Sequence, residues 1–332
     1  IALQAIFDDA WSFRLKENPL FATGVGVHTA NDRLPLVTEE DIQRRAHYWQ
    51  DILQRLDSIE QSGLNKKSRI NYRIFHRVVE DRLADTKFKA YLMPLNADSG
   101  FHIGLARLPK GIPLKSVADY ENYIARLNAI PDYIAQHITL MREGIRTGMT
   151  VPQIVLKGYN VTISTHVVNN PEESVFYEPF FSFPVSIPSH EYDRLREAGG
   201  KAVMTGAVEG YKQFLTFFND EYYPNARKTI GASEFPDGRA YYEQRARHFT
   251  TLDLSPEEIY KVGLKEVERI KKEMTDIIKE VGFEGTFQDF LYLKNHIWDL
   301  CLKKYPLTKF MTNIYTCFQL IRLRKFLIYI IL

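Results

Sequence analysis

The stretch TEEDIQRRAHYWQDILQRLDSIEQSG, residues 38–63, decides the fold class. Thr38 stands before Glu39, Glu40 and Asp41, a capping hydroxyl followed by an acidic first turn, so a helix starts here. Ile42, Ala46, Trp49, Ile52, Leu53, Leu56 and Ile59 then recur at steps of three and four until Gly63, the period of one helix face. Working outward, the same period returns. Lys66 to Leu83 predicts a second helix with Ile70, Ile74, Val78 and Leu83 on its inner face. A third opens at Ser116 with Asp119 three residues on and carries Tyr120, Tyr123, Ile124 and Leu127. Pro131 should kink or split it before it resumes through Ile134, Ile138 and Met141 to Gly144.

Val208, Tyr211, Phe214, Leu215, Phe218 and Tyr222 give a strongly aromatic core face. Ser255-Pro256-Glu257-Glu258 combines an N-cap serine, a proline at the first helical position and a capping-box glutamate. Ile259, Val262, Val267, Ile270, Met274, Ile277, Ile278 and Val281 then mark an inner face up to Gly282, with Lys271 and Lys272 opposite. Proline-bearing connections cover 93–113, 169–188 and 224–238, and strand-like alternation is limited to pieces such as Val161-Thr162-Ile163-Ser164. The sequence therefore predicts an all-α protein, mainly helical, with long ordered loops and at most a minor short β element. Length leaves one large helical domain and two domains equally open.

With 45% hydrophobic and 25% charged residues among 332, the chain has the composition of a globular protein. Its 43 basic and 41 acidic residues leave a net charge of +2, which gives no argument for a nucleic-acid partner or an anionic membrane. The near balance hides an asymmetry, because Leu291 to Leu332 carries seven basic residues against the single acid Asp299, and also both cysteines, Cys301 and Cys317. A body without thiols has no disulfide framework, cysteine zinc site or cysteine nucleophile. The most apolar stretch, 310–332, is interrupted by Arg322, Arg324 and Lys325, so no membrane span is expected. The first residue is Ile1, any leader would lie upstream of it, and secreted and cytoplasmic locations both stay open, as do the oligomeric state and glycosylation at Asn160-Val161-Thr162.

Few residues invite chemistry. His190-Glu191 opens like a zincin helix, but the second histidine would fall at 194, where a permanent cation, Arg194, stands. Gly24-Val25-Gly26 lacks the third glycine and the preceding strand of a phosphate loop. None of the nine histidines forms a ligand-spaced pair on a predicted helix. His102, in Gly100-Phe101-His102, lies on a predicted loop beside glycines that allow close backbone approach. The most site-like segment runs from Gly231 to Tyr242 and is preceded by Pro224-Asn225-Ala226-Arg227. Its phenols, Tyr241 and Tyr242, and the Arg227 guanidinium can bind a peptide carbonyl or carboxylate, although the reading preferred from the same residues is a loop pinned by buried aromatics. Arg227 would then pair either with a substrate carboxylate or with Asp220 or Glu221 on the preceding helix.

Several separated motifs together resemble the domain of unknown function 885 family. They are Asp8-Asp9-Ala10-Trp11 with Glu17-Asn18-Pro19-Leu20, Asp119 to Leu127, Arg142-Glu143-Gly144-Ile145, Gly231 to Tyr242, Thr250-Thr251 and Gly263 to Val267. The resemblance covers about Phe7 to Phe290. It implies a mostly helical, zinc-peptidase-like architecture, a peptide substrate, and zinc held by a His-Glu-x-x-Pro-Gly-His-His motif downstream of the matched region. That motif is not in this chain, so no zinc ligand or general base carries over and no cofactor is expected here. The expectation is a truncated or mis-spliced member of a zinc metallopeptidase-like family, inactive as it stands, with residues 1–290 as the helical portion and 291–332 as a tail foreign to the fold. Residues 1–290 would supply walls of the substrate groove, with His102, Arg227, Tyr241 and Tyr242 as substrate-binding candidates. The alternative is a non-catalytic helical scaffold for a peptide or protein.

Overall fold

A computed structural model describes residues 2–280, 282–290 and 292. Within these, every regular element is helical, apart from one isolated antiparallel bridge between Leu95 and Gly100. The α-helices are α1 (Ala2–Glu17), α2 (Pro19–Gly24), α3 (Glu39–Asp57), α4 (Lys66–Lys87), α5 (Phe101–Ala106), α6 (Val117–Asn128), α7 (Ile130–Thr147), α8 (Val161–Ser164), α9 (Glu178–Phe181), α10 (Tyr192–Ala202), α11 (Glu209–Phe217), α12 (Tyr223–Asn225), α13 (Gly238–Thr250) and α14 (Pro256–Glu280). Wider π-helical turns, Val203–Val208 and Phe218–Tyr222, join α10, α11 and α12 into one rod. The chain divides into two units, 1–239 and 240–332. The expected division after residue 290, and the tail with both cysteines, lie outside the described residues save for Tyr292.

Local capping sets the helix starts. Thr38 Oγ1 accepts from the Asp41 amide at the head of α3. Ser116 and Asp119 close a reciprocal capping box on α6, and Ser255 and Glu258 do the same at α14. Asn18 ends α1 and then caps α2, accepting from the Phe21 amide. Pro131 does not kink one helix; it sits in the first turn of α7, splitting the predicted third helix into α6 and α7. Gly148 ends α7 at φ +78°, a left-handed cap that costs a glycine no Cβ clash. Val161-Thr162-Ile163-Ser164 forms the single helical turn α8 rather than a strand. Four residues are too few for β-branching to outweigh the backbone bonds that Asn160 and its neighbours make there.

Three buried clusters hold the first unit, the smallest of them Leu92, Leu140 and Met149. In the second, α1 lies against the α3–α4 hairpin, burying Leu3, Ile6, Ala10, Trp49, Ile52, Leu56, Tyr72 and Val79. The Arg44 guanidinium grips both oxygens of Glu17, at 2.9 and 2.6 Å, fastening the end of α1 to α3. The largest core is built by α6, α7, α10 and α11 around Tyr120, Tyr123, Ile134, Phe180, Tyr211, Phe214 and Phe218. Helix α6 and the rod approach so closely that a Cβ on Gly206 would overlap the Leu127 carbonyl.

Two of the predicted inner faces need correction. On α4 the buried residues are Tyr72 and Val79, whereas Ile70, Ile74 and Val78 face out, 49, 60 and 40% exposed. On α14, in the second unit, only Ile278 of the predicted inner face is buried; Val262 and Val267 are exposed and Val281 lies outside the described residues. Periodicity identifies a stripe on the helix itself, but burial needs a partner against that stripe.

Candidate functional site

His102 is in the first unit's core, not on a loop. It belongs to the short helix α5, is 0% exposed, and rests among Tyr159, Tyr211 and Phe214. The Tyr211 hydroxyl donates to the His102 carbonyl, and the Tyr159 hydroxyl donates 2.7 Å to the Ser99 carbonyl just before α5. The tautomer follows from the bonds. Thr162 Oγ1 spends its own proton on the Tyr159 carbonyl at 2.7 Å, so across the 2.9 Å contact it accepts from Nε2 of His102. Nδ1 then carries a lone pair, buried and without a hydrogen-bond partner among the described residues. Burial, with the nearby His166 adding to it, pushes the His102 pKa down to about 4.

A second imidazole shares this environment. His137 on α7 stacks on Phe101 with ring centroids 3.9 Å apart and meets Tyr133 edge-on. Both of its nitrogens are buried without partners among the described residues, and burial pushes its pKa down to about 3. His166, packed on Tyr211, is lowered too by burial. These are neutral rings in an aromatic core. With no exposed atom, His102 touches a substrate only if α5 first lifts away.

Arg227 is spent on its own loop. Its Nε donates to the Thr150 carbonyl at 2.9 Å, its Nη1 to the Gly231 carbonyl at 2.6 Å, and its amide to Thr150 Oγ1 at 3.0 Å. The guanidinium also lies 4.0 Å over the Phe235 ring. The expected pairing with Asp220 or Glu221 is not made, because Arg142 takes Glu221 through Nε and Nη2 at 2.7 and 2.6 Å. Arg227 thus pins 226–235 against 150–153. Tyr241 and Tyr242 begin in the first turns of α13 and belong to the second unit. Adjacent helical residues point about 100° apart, and accordingly Tyr242 is 51% exposed while Tyr241 is half-buried.

The described residues offer no catalytic zinc site. Among those described, no group of three or more His, Cys, Asp or Glu is placed to hold a metal ion. His190 is surface-exposed, and Arg194 occupies the second-ligand position in an ion pair with Glu191 at 2.5 Å. Zinc therefore does not fit the described residues, and no chemical step is derived through it.

One feature gave no sequence signal. A cleft of about 440 Å³ opens between α1, the 32–36 segment and the start of α7, lined by Lys16, Pro19, Leu34, Asp132, Tyr133 and Gln136 among others. Its wall is fixed from behind by Arg126, 0% exposed. Arg126 Nε donates to the Arg33 carbonyl, and Nη2 donates to the Pro19 and Ala30 carbonyls and to Thr23 Oγ1. No carboxylate bonds to it, and burial lowers its pKa to about 10. Arginine is seldom fully buried, so sequence alone leaves it on the surface.

Comparison with known proteins adds the fold's relatives. No curated protein matches the sequence. A solved protein from Colwellia psychrerythraea, titled a candidate lipoprotein, shares the fold at a TM-score of 0.76 and 18% identity, over 86% of this chain and 52% of that one. A similarly titled protein of unknown function from Shewanella oneidensis gives 0.57 at 15% identity, over 86% of this chain and 49% of that one. The chain thus spans about half the length of these relatives. The profile of a family described as bacterial proteins of unknown function, DUF885, matches residues 19–296, and with most of its length so matched the chain belongs to that family.

Proposed function

We propose that this chain is the metal-free half of a zinc metallopeptidase-like DUF885 domain, supplying walls of a peptide groove while the chemistry resides in the half it does not match. The observation that carries this reading is the half-length correspondence with the solved relatives, taken together with described residues that hold no metal-binding cluster. The peptidase and zinc assignments rest on the family resemblance. On this reading the exposed Tyr242 is the candidate placed to meet a peptide, since His102 is buried and Arg227 is bound to its own loop.

The test compares two proteins after chelator treatment and addition of equimolar zinc: residues 1–332 alone, and the same residues joined to the half of the family fold they do not match. Bound metal and cleavage of a mixed peptide set are measured. The chain alone should retain no stoichiometric zinc and cleave nothing, whereas the joined protein should do both. Stoichiometric zinc on the chain alone overturns the proposal. A joined protein that binds peptide without zinc moves it to the alternative, a non-catalytic scaffold, for which the 440 Å³ cleft is the natural seat.

A further inference from the structure

The cleft between α1, the 32–36 segment and the start of α7 holds about 440 Å³, room for a small organic molecule. Six charged side chains line it, and four of them answer one another. Arg44 grips both oxygens of Glu17, and Arg33 lies 3.5 Å from Asp32. Two are left over, Lys16 on the α1 wall and Asp132 on the α7 wall, which pair neither with each other nor with any other described residue. The cleft also presents two neutral donors. Gln136 spends its Oε1 on the Val37 amide at 2.8 Å and keeps its amide protons to give. The Tyr133 hydroxyl makes no hydrogen bond among the described residues, and burial pushes it up to about 12, so it stays protonated at neutral pH. Pro19, Leu34 and Ala129 supply apolar lining. Because Arg126 bonds the Pro19 and Arg33 carbonyls from behind, this wall stands formed before a ligand arrives.

We propose that the cleft binds a zwitterionic amino acid with an apolar side chain, its carboxylate on Lys16, its ammonium on Asp132 and its side chain against Pro19 and Leu34. Three observations select this chemistry. The unanswered charges are one of each sign, so a ligand of a single sign would leave one of them unmet, whereas a zwitterion meets both. The Tyr133 hydroxyl and the Gln136 amide protons add donors for the carboxylate, and the buried Arg126 behind the Pro19 and Arg33 wall bonds to no carboxylate of its own, which favours the ligand's negative end on that side. The bond from Val37 to Gln136 ties the far end of the 32–36 segment to α7, so the cleft closes there and suits a small molecule more than a chain running through.

The test is calorimetric titration of residues 1–332 at neutral pH with leucine, and with isoamylamine and isocaproate, which carry the same apolar body and one charge each. Leucine should saturate one site, and each singly charged analogue should bind at least about tenfold more weakly. Lys16→Met should weaken leucine about tenfold and leave isoamylamine unchanged, while Asp132→Asn should weaken leucine about tenfold and leave isocaproate unchanged, a crossed pattern that a disturbed fold does not produce. Both side chains are exposed, so the melting temperature of each variant should stay within about 2 °C of the wild type. Failure of leucine to saturate, equal binding of the three compounds, or leucine binding indifferent to both substitutions overturns the proposal. Leucylglycine, whose two charges lie further apart, is the remaining arm. If it binds about tenfold more tightly than leucine, the cleft is a seat for peptide termini and the amino-acid assignment is overturned. No measurement here involves zinc or hydrolysis, so the outcome is separate from that of the half-domain function.

Discussion

The neutral imidazoles in the aromatic core make the first unit acid-labile in a calculable way, and His137→Phe isolates one of them. A histidine whose folded pKa is depressed contributes stability that is fully present above the unfolded value of about 6.5 and is lost as pH falls toward the folded value, because below 6.5 the unfolded chain takes up a proton that the folded one refuses. The window is therefore pH 6.5 down to about 4 for His102 and about 3 for His137. Each pH unit inside it is worth about 1.4 kcal/mol per group, so going from neutral pH to 5.0, about 1.5 units below 6.5, removes roughly 2 kcal/mol per imidazole and about 4 kcal/mol for the pair. Against a total stability of roughly 5–15 kcal/mol that is a large share, and for a unit of this size it corresponds to a fall in melting temperature on the order of 10 °C. His166 adds in the same direction.

Phenylalanine at 137 keeps the stack on Phe101 and forfeits no hydrogen bond, since neither ring nitrogen has a partner among the described residues. Urea unfolding followed by circular dichroism at half-unit steps from pH 7.5 to 5.0 should show the variant losing about 2 kcal/mol less than the wild type across the range. Staying above pH 5.0 keeps the lowered carboxyls of Glu17, Asp41 and Glu221 ionised, so their loss does not contaminate the slope. If the variant loses stability in parallel with the wild type, the His137 ring is not held neutral by burial and the description of this core is wrong.

Three further outcomes are expected. Arg126→Met should cost about 2–4 kcal/mol in urea unfolding, because it strands the Arg33 carbonyl and removes the guanidinium's bonds to the Pro19 and Ala30 carbonyls, and a cost under about 1 kcal/mol would refute its role behind the cleft wall. Gly206→Ala should destabilise by roughly 2 kcal/mol or more by forcing the rod off the Leu127 carbonyl, and a neutral result in thermal melts would show that the contact yields freely. In the joined protein of the proposed function, Tyr242→Phe should lower peptide turnover about tenfold, equal to about 1.4 kcal/mol, with an unchanged melting temperature, and full activity would remove Tyr242 from the groove.

What the sequence made legible was local. Thr38, Ser116 with Asp119, Ser255 with Glu258 and Asn18-Pro19 each satisfy backbone amides within their own first turn, so the residues that signal the start also form it. The candidate site was less legible because its decisive feature is depth. Nothing in Gly100-Phe101-His102 distinguishes a flexible loop from a turn of helix sealed under Tyr211. Arg126 and His137 likewise resemble surface residues until three backbone carbonyls and two aromatic rings are found around them.

The rod from 192 to 225 shows how a period longer than 3.6 residues is read and what it accomplishes. Leu195, Gly199, Val203, Ala207 and Tyr211 are all buried although they are spaced by four. In a pure α-helix a four-residue step overshoots one turn by about 40°, so over the four steps Tyr211 would drift roughly 160° from Leu195 and face nearly the opposite side. The wider turn at Val203–Val208 lags behind α-helical winding and takes up that drift, and Phe218–Tyr222 does the same for Phe214, Phe218 and Tyr222. One rod can therefore place the Tyr211 hydroxyl on the His102 carbonyl and the Tyr222 hydroxyl within 3.3 Å of the Val151 amide, next to the Thr150 that anchors Arg227. A reading tuned to three- and four-residue steps finds the aromatic face but not the inserted turns, because their signature is a run of fours that differs from an amphipathic α-helix only when it is followed for several turns.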